Sequence, residues 1–167
     1  MHDRLTRMDI QKMQEELDDR INRQRPAILE EVKRCREFGD LSENYEYKEA
    51  KRARGRNESR IRYLTNMIKT AQIIEDESDS DTVGLYDKVR VYIEEDDEEE
   101  EFTLVTTVRI EIDSGHISIE SPLGKAVLGK KVGDRVLVKV NDTYSYWLVI
   151  RSIEKGEDDG SVGLMRY

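Results

Sequence analysis

The sequence is poor in the residues that stabilise small secreted or metal-bound proteins. It has a single cysteine, Cys35, so an intramolecular disulfide is excluded. Two histidines beside that single thiol leave no ligand set for structural zinc. No apolar run is long enough for a membrane span, and the first residues lack the apolar segment of a secretory signal. We therefore expect a cytoplasmic protein with no membrane partner.

Aromatic residues are scarce and charged residues are abundant. Aromatics make up 7% of the 167 residues and charged residues 39%, which leaves too little apolar material for one large globular core. The net charge is -9, yet the unbroken run Glu94–Glu101 holds eight of the acids, so the remainder of the chain is almost neutral. Because this run lies between two predicted strands, we expect it to be a solvated hairpin loop.

The first half of the chain has the pattern of two long helices. Glycine is absent between Asp9 and Phe38, and apolar residues recur there at helical spacing, which predicts a rod of about 45 Å. A kink is expected at Pro26, which has no backbone N–H. A second seam runs from Tyr47 through Arg54 and Asn57 to Ala71 in alternating steps of three and four. The short link between the helices predicts an antiparallel hairpin.

The second half has the pattern of a small sheet domain. The stretch SPLGKAVLGKKVGD predicts one short helix between strands. Alternating or β-branched runs predict strands at residues 88–93, 102–112, 116–119, 135–140 and 146–153. The predicted fold class is α+β: a coiled-coil hairpin at 1–76 with an acidic tip at 39–46, a linker at 77–83, an antiparallel sheet domain at 84–155 and a loose tail at 156–167.

The stretch GDLSENYEY, at the turn of the predicted hairpin, concentrates carboxylates. Asp40 and Glu43 have the spacing of a capping box, in which a short polar side chain and a carboxylate three residues later start a helix. Their carboxylates are also hard oxygen ligands of the kind that Mg²⁺ prefers, although two are too few to complete its coordination. The residues alone leave two roles open: a helix cap, or part of a metal site that another molecule completes.

A basic face follows this stretch on the second helix. Seven basic residues and only two acidic ones lie between Lys48 and Arg62. Lys48, Arg52, Arg56 and Arg60 recur at intervals of four, which predicts one continuous ridge. The ridge is either a solvated charged face or a contact surface for the phosphate backbone of a nucleic acid.

Two motifs, in the same order, resemble one known family. GDLSENYEY resembles the tip motif of bacterial Gre transcript-cleavage factors, and SPLGKAVLGKKVGD resembles the signature of their C-terminal FKBP-like domain. The similarity extends from the first helix to about Ile153. It implies a transcription elongation factor whose coiled coil enters the secondary channel of RNA polymerase. There it would stimulate endonucleolytic cleavage of the 3′ end of backtracked RNA and rescue arrested complexes.

The resemblance also assigns roles to residues. Asp40 and Glu43 would share a Mg²⁺ ion with polymerase, and Ser42 would help to orient the attacking water. Polymerase would be the enzyme, and the isolated protein, a monomer, would not bind Mg²⁺ stably. Arg36 and Lys51 lie where the family has basic contacts to the displaced transcript. From the ridge, Lys48, Arg52 and Arg56 are also expected to contact the 3′ segment of the nascent RNA.

Some positions depart from the family pattern and keep alternatives open. Tyr45 stands where the family usually has a small residue, and it would either stack on a displaced base or pack on the first helix. Glu37, Tyr45 and Glu46 leave room for a Gre-like protein that occupies the same channel and inhibits polymerase. A dimeric DNA-binding zipper is disfavoured because Ile61–Ile68 is too short for one, and a structural coiled-coil adaptor leaves the acidic turn unexplained.

Overall fold

The computed structural model describes residues 2–39 and 44–166, and its contacts divide the chain into two compact units. Ile10–Ala71 forms most of a helical unit, while Arg4–Asp9 and the chain from Gln72 onward form a sheet unit. The predicted α+β class is confirmed. Across the described residues, no helix combines the length and apolarity that crossing a membrane requires.

The first arm of the helical unit is continuous but not uniform. Helix α1 spans Arg7–Asp19, a π-helical turn spans Arg20–Gln24, and helix α2 spans Arg25–Arg36. In the π turn the backbone N–H of Arg25 donates to the carbonyl of Arg20, one residue further back than in an α-helix. The predicted irregularity therefore lies in the turn before Pro26, the residue that has no N–H to donate.

The second arm is helix α3, Tyr45–Thr70. It packs on α2 through a small cluster of Val32, Cys35 and Ala50, all of them buried. The predicted seam position at Arg54 is wrong, since this side chain is exposed and its small neighbour Ala53 is half-buried instead. Keeping a guanidinium in water costs less than burying it in a seam.

The sheet unit contains a two-stranded ribbon, a five-stranded sheet and one short helix. All neighbouring pairs of the larger sheet are antiparallel except β4 (Glu98–Val105) and β5 (His116–Ser118), which run parallel. The predicted strand at residues 102–112 begins earlier and ends earlier, and 3₁₀ turns at Thr107–Arg109 and Ile112–Ser114 follow it. The elements are β1 (Arg4–Leu5), β2 (Gln72–Ile73), β3 (Lys88–Ile93), β4 (Glu98–Val105), β5 (His116–Ser118), α4 (Pro122–Val127), β6 (Arg135–Lys139) and β7 (Ser145–Glu154), with β1 paired to β2 and the others in the order β5-β4-β3-β7-β6.

Helix α4 is the short helix predicted from SPLGKAVLGKKVGD. The Ser121 hydroxyl caps it by accepting a hydrogen bond from the Gly124 N–H at 3.0 Å. A Cβ atom on Gly124 would lie 2.0 Å from the carbonyl oxygen of Ser118, so this position requires glycine. The motif thus fixes how the helix meets the end of β5.

The acidic run is only half a loop. Its first four residues, Glu94–Asp97, form the turn, whereas Glu98–Glu101 belong to β4, so the prediction that the whole run is a loop is wrong. The strand tolerates these charges because the glutamates stay exposed and arginines of β3 and β7 lie near them. Arg90 pairs with Glu101 at 3.2 Å and Arg151 lies 4.0 Å from Glu99.

The segment after β7 contacts the sheet unit, so the prediction of a loose tail is wrong. Arg109 is fully buried, and its guanidinium donates to Asp158 at 2.7 and 2.9 Å and to the carbonyl of Val162 at 2.8 Å. The same guanidinium donates to Asp9, also fully buried, at 3.0 Å. One arginine therefore links the start of α1, a 3₁₀ turn and the C-terminal segment.

Candidate functional site at the hairpin turn

The predicted catalytic and metal-binding residues Asp40, Ser42 and Glu43 lie outside the described residues. The site is therefore described from its two flanks, the end of α2 and the start of α3. Gly39, on the first flank, has φ +101°, in the left-handed region that glycine favours and that commonly follows the end of a helix. The first arm ends here, as the sequence predicts.

The second flank starts with Asn44, which joins both arms. Its side-chain oxygen accepts a hydrogen bond from the Tyr47 N–H at 3.0 Å, and its side-chain nitrogen donates to the carbonyl of Cys35 at 2.7 Å. One amide thus satisfies a backbone donor at the start of α3 and a backbone acceptor near the end of α2. The N-cap of α3 is therefore Asn44 and not Asp40, for which the sequence leaves capping as one of two roles.

Two of the predicted RNA-binding residues, one on each flank, lie beside the same aromatic ring. Arg36 lies on α2 with its guanidinium 5.8 Å from the centre of the Tyr47 ring, and Lys51 lies on α3 with its ammonium 5.4 Å from the same centre. Both side chains belong to exposed residues. Two cations that lie fifteen residues apart in the sequence are therefore brought to one place by the ring between them.

The basic ridge is shorter than predicted. Arg52 and Arg56 are mostly exposed and share a single acid, Glu49, at 3.6 and 2.9 Å. Their hydrogen bonds, Arg56 first, hold the pKa of Glu49 below its usual value. One carboxylate against two guanidinium groups leaves a net positive surface, which continues to Lys48, also exposed.

Arg60, the fourth predicted ridge residue, is buried, and its guanidinium binds Glu16 of α1 at 2.9 and 3.1 Å. The prediction of a ridge that extends to Arg60 is therefore wrong. Each step of four residues advances a side chain by about 40° around a helix, so three steps turn it from the exposed face towards the partner arm.

The middle of the hairpin holds a polar cluster that sequence reasoning missed. Asn57 is 3% exposed. Its oxygen accepts from the Arg20 guanidinium at 2.9 Å, and its nitrogen donates to the Arg20 carbonyl, in the π turn, at 3.3 Å. Glu16 accepts from both Arg20 and Arg60. These polar side chains are therefore hydrogen-bonded to one another across the two arms. The sequence spacing predicts a polar residue at the seam but not its partners.

Glu16 gives this network a measurable pH dependence. Burial raises the pKa of Glu16, but the hydrogen bonds from Arg60 and Arg20 outweigh burial and hold it below the ordinary 4.5. A carboxylate with a lowered folded-state pKa stabilises fully above its unfolded-state pKa, and this contribution disappears as the pH falls through the folded-state value.

We expect Glu16→Gln to lower the free energy of unfolding at pH 7 by about 1 kcal/mol, with allowance for partial exposure, and to have a smaller effect below pH 4. Urea unfolding followed by circular dichroism at 222 nm, at both pH values, measures this difference. Glu30→Gln, at an exposed position of α2, is the control. If Glu16→Gln lowers the free energy of unfolding equally at the two pH values, the charge of Glu16 does not stabilise the hairpin.

The described residues contain no group of three or more His, Cys, Asp or Glu side chains arranged to hold a metal ion. Cys35 is buried and packs in the α2–α3 cluster. The predicted ligands Asp40 and Glu43 lie outside the described part of the chain.

Comparisons with known proteins agree along most of the chain. The family description "Transcription elongation factor, N-terminal" matches residues 4–73, and "Transcription elongation factor, GreA/GreB, C-term" matches residues 77–155. Transcription elongation factor GreA of Thermotoga maritima is 40% identical over 152 residues, which cover 91% of this chain and 97% of the relative. The GreA of Thermoanaerobacter pseudethanolicus is 44% identical over 137 residues, covering 81% and 87%. Among solved structures, the GreA factor homolog Gfh1 of Thermus thermophilus aligns with a TM-score of 0.43 at 22% identity, covering 93% of this chain and 100% of that chain.

Proposed function

The chain belongs to the GreA/GreB family of transcription elongation factors, and from that premise we propose that it completes a nuclease site of RNA polymerase. The helical hairpin enters the secondary channel, and its turn reaches the active centre of a backtracked complex. There it stimulates endonucleolytic cleavage of the extruded RNA 3′ segment, so that an arrested enzyme resumes elongation. Polymerase is the enzyme, and this chain acts on it in the cytoplasm as a monomer.

The observation that carries this proposal is the cap of α3. Because Asn44 caps the helix, we assign the carboxylates of Asp40 and Glu43 to an external ligand and not to the start of α3. Two carboxylates are hard oxygen donors that fit Mg²⁺, and they require further ligands from another molecule. The acids of polymerase are the natural source of those ligands.

Each residue of the turn has a distinct task in this proposal. Asp40 and Glu43 hold one side of the shared metal site, and Ser42 orients water or substrate by hydrogen bonding. Mg²⁺ bound there would lower the pKa of a bound water and offset the negative charge of the scissile phosphate. The isolated chain supplies too few ligands to keep the ion stably bound.

The basic residues beside the turn hold the displaced RNA. Arg36 and Lys51 lie on either arm around the Tyr47 ring, within 6 Å of its centre. Lys48, Arg52 and Arg56 extend the positive surface along α3. These side chains attract phosphate without regard to sequence, which suits a factor that acts wherever polymerase stalls.

The direct test uses a stalled, backtracked elongation complex with 5′-labelled RNA. Addition of the purified protein with Mg²⁺ is expected to shorten the RNA from its 3′ end and to restore elongation once nucleotides are supplied. A protein that binds the complex and blocks elongation without cutting would instead be a Gre-like inhibitor. A protein that neither binds nor cuts would contradict both functions.

Charge reversal tests the basic surface. Arg52→Glu together with Arg56→Glu is expected to slow cleavage of long backtracked transcripts and to weaken its dependence on salt. Each phosphate contact to single-stranded RNA that is lost lowers the slope of log affinity against log salt by about 0.7. The measurement is the cleavage rate at several potassium chloride concentrations.

The control for this experiment is Arg23→Glu, which removes an equally exposed arginine that is paired with Asp19 on the first arm. If the double variant and this control have the same rates and the same salt slope, the ridge is only a solvated face.

A further inference from the structure

Two large aromatic side chains on the flanks of the hairpin turn lie in solvent. Tyr45, the first residue of α3, is 81% exposed, and Phe38, which precedes Gly39, is 62% exposed. Aromatic rings normally contribute buried area to a core or an interface. Neither ring does so within this chain, and both lie beside the segment that carries the tip acids.

Each exposed ring has a cation from its own arm beside it. The guanidinium of Arg34 lies 5.2 Å from the centre of the Phe38 ring, and the ammonium of Lys48 lies 5.6 Å from the centre of the Tyr45 ring. With Tyr47 between Arg36 and Lys51, all three aromatic residues on the described flanks are paired with basic side chains. An aromatic ring can stack on the base of a nucleotide while the neighbouring cation pairs with its phosphate.

Packing against the first arm does not explain Tyr45. That role belongs to Tyr47, which is half-buried against the cluster of Val32, Cys35 and Ala50. Two residues along a helix correspond to a rotation of about 200°, so Tyr45 lies on nearly the opposite side of α3. Its ring is placed for a partner outside the chain.

We propose that Tyr45 and Phe38 form stacking sites for unpaired bases of the extruded RNA 3′ segment, with Lys48 beside Tyr45 for the adjoining phosphate. Arg34, beside Phe38, is already paired with Glu31. This inference rests on the proposed function for the identity of the ligand. Stacking accepts any base, because every base has a π face, so the site retains RNA of any sequence. Tyr45, the more exposed of the two, makes the larger contribution.

The first test measures stacking without cleavage. Backtracked complexes carry 2-aminopurine at successive positions of the extruded segment, and the added protein carries Asp40→Asn and Glu43→Gln so that the RNA stays intact. We expect the fluorescence at one position to fall when Tyr45 or Tyr45→Phe is present and to remain unchanged there with Tyr45→Leu, whereas a position quenched by Phe38 responds alike to all three proteins. Equal quenching by the Tyr45 and Tyr45→Leu proteins at every position would overturn the proposal.

The second test couples the ring to the base. In the otherwise unaltered protein, Tyr45→Leu is expected to slow cleavage by roughly 5- to 100-fold, the value of one base–aromatic stack. An abasic nucleotide at the position quenched by Tyr45 should slow cleavage with the wild-type protein by a similar factor. It should not slow cleavage with the Tyr45→Leu protein any further. If Tyr45→Leu and the abasic nucleotide have additive effects on the cleavage rate, or if Tyr45→Leu has no effect on intact RNA, the stacking site is overturned. The proposed function is not affected by either result.

Two controls separate this inference from the proposed function. Leu29→Ala removes another exposed apolar side chain, on α2, and should leave the rate unchanged. Helical circular dichroism and polymerase affinity equal to wild type show that Tyr45→Leu is folded and bound. A wild-type protein that fails to stimulate cleavage at all would overturn the proposed function rather than the role of the ring.

Discussion

Asp40→Asn and Glu43→Gln are each expected to reduce stimulated transcript cleavage by at least about 100-fold, because a metal ligand contributes several kcal/mol of charge stabilisation and each 1.36 kcal/mol is tenfold in rate. Both substitutions keep the size of the side chain and remove its charge. Polymerase affinity should remain near wild type, since the rest of the hairpin and the sheet unit are unchanged. Cleavage rate and binding are measured on the same backtracked complexes.

The matched controls are the acids on either side of the turn. Glu37 and Glu46 are exposed, and Glu37→Gln and Glu46→Gln should leave the cleavage rate within about twofold of wild type, because neither carboxylate is assigned to the metal. If instead the wild-type protein inhibits polymerase and one of these control substitutions turns cleavage on, the surplus acids make this chain an inhibitor. Equal rates for wild type and both tip variants would remove Asp40 and Glu43 from the mechanism.

Arg109→Met is expected to cost about 3–5 kcal/mol of unfolding free energy, because it leaves Asp9 buried without its cation. Arg109 and Asp9 are both fully buried, and the Asp158 side chain is only 16% exposed. Besides the ion pairs, the substitution removes the hydrogen bond to the carbonyl of Val162. The sheet unit should therefore unfold at much lower urea concentration.

Trp147 is the single tryptophan of the chain and lies in β7, so its fluorescence reports on this unit directly. Arg90→Met is the control, since Arg90 pairs with Glu101 at the surface and such pairs contribute about 1 kcal/mol or less. Similar urea midpoints for the Arg109 and Arg90 variants would show that the buried network contributes no more than a surface pair.

The periodic elements of this fold are predictable because their signals are local. Apolar spacing on the two arms and alternation in the strands report which face of each element is buried. Pro26 marks the irregular turn because the missing N–H is a property of one residue. The SPLG sequence predicts α4 for a similar reason, since its cap and its required glycine lie within four residues.

The errors occur where a distant partner decides between local options. Asp40 and Asn44 are both good N-cap residues. Asn44 caps the helix while its amide also reaches the carbonyl of Cys35, nine residues away on the other arm. Arg109 meets Asp9 across a hundred residues of sequence, and no spacing rule connects them.

Charge patterns were misleading for a related physical reason, which is that neighbours across a sheet or a hairpin neutralise them. Glu101 of β4 pairs with Arg90 of the adjacent strand β3, Glu99 lies 4.0 Å from Arg151 of β7, and Arg60 pairs with Glu16 of α1. Glu98–Glu101 stay exposed within a strand whereas Arg60 is buried, so a run of like charges alone predicts neither a loop nor a solvated face.

The central claim is that this chain supplies half of a metal site, and the Mg²⁺ dependence of cleavage tests it most directly. Cleavage of one backtracked complex is measured over a range of Mg²⁺ concentrations with polymerase alone, with wild-type protein, and with the Asp40→Asn/Glu43→Gln double variant. We predict that the wild-type protein lowers the half-saturating Mg²⁺ concentration by at least about tenfold and that the double variant does not. A change of about tenfold in metal affinity is found even when only the partners of the metal ligands are mutated. The same half-saturating concentration in all three reactions would contradict the claim.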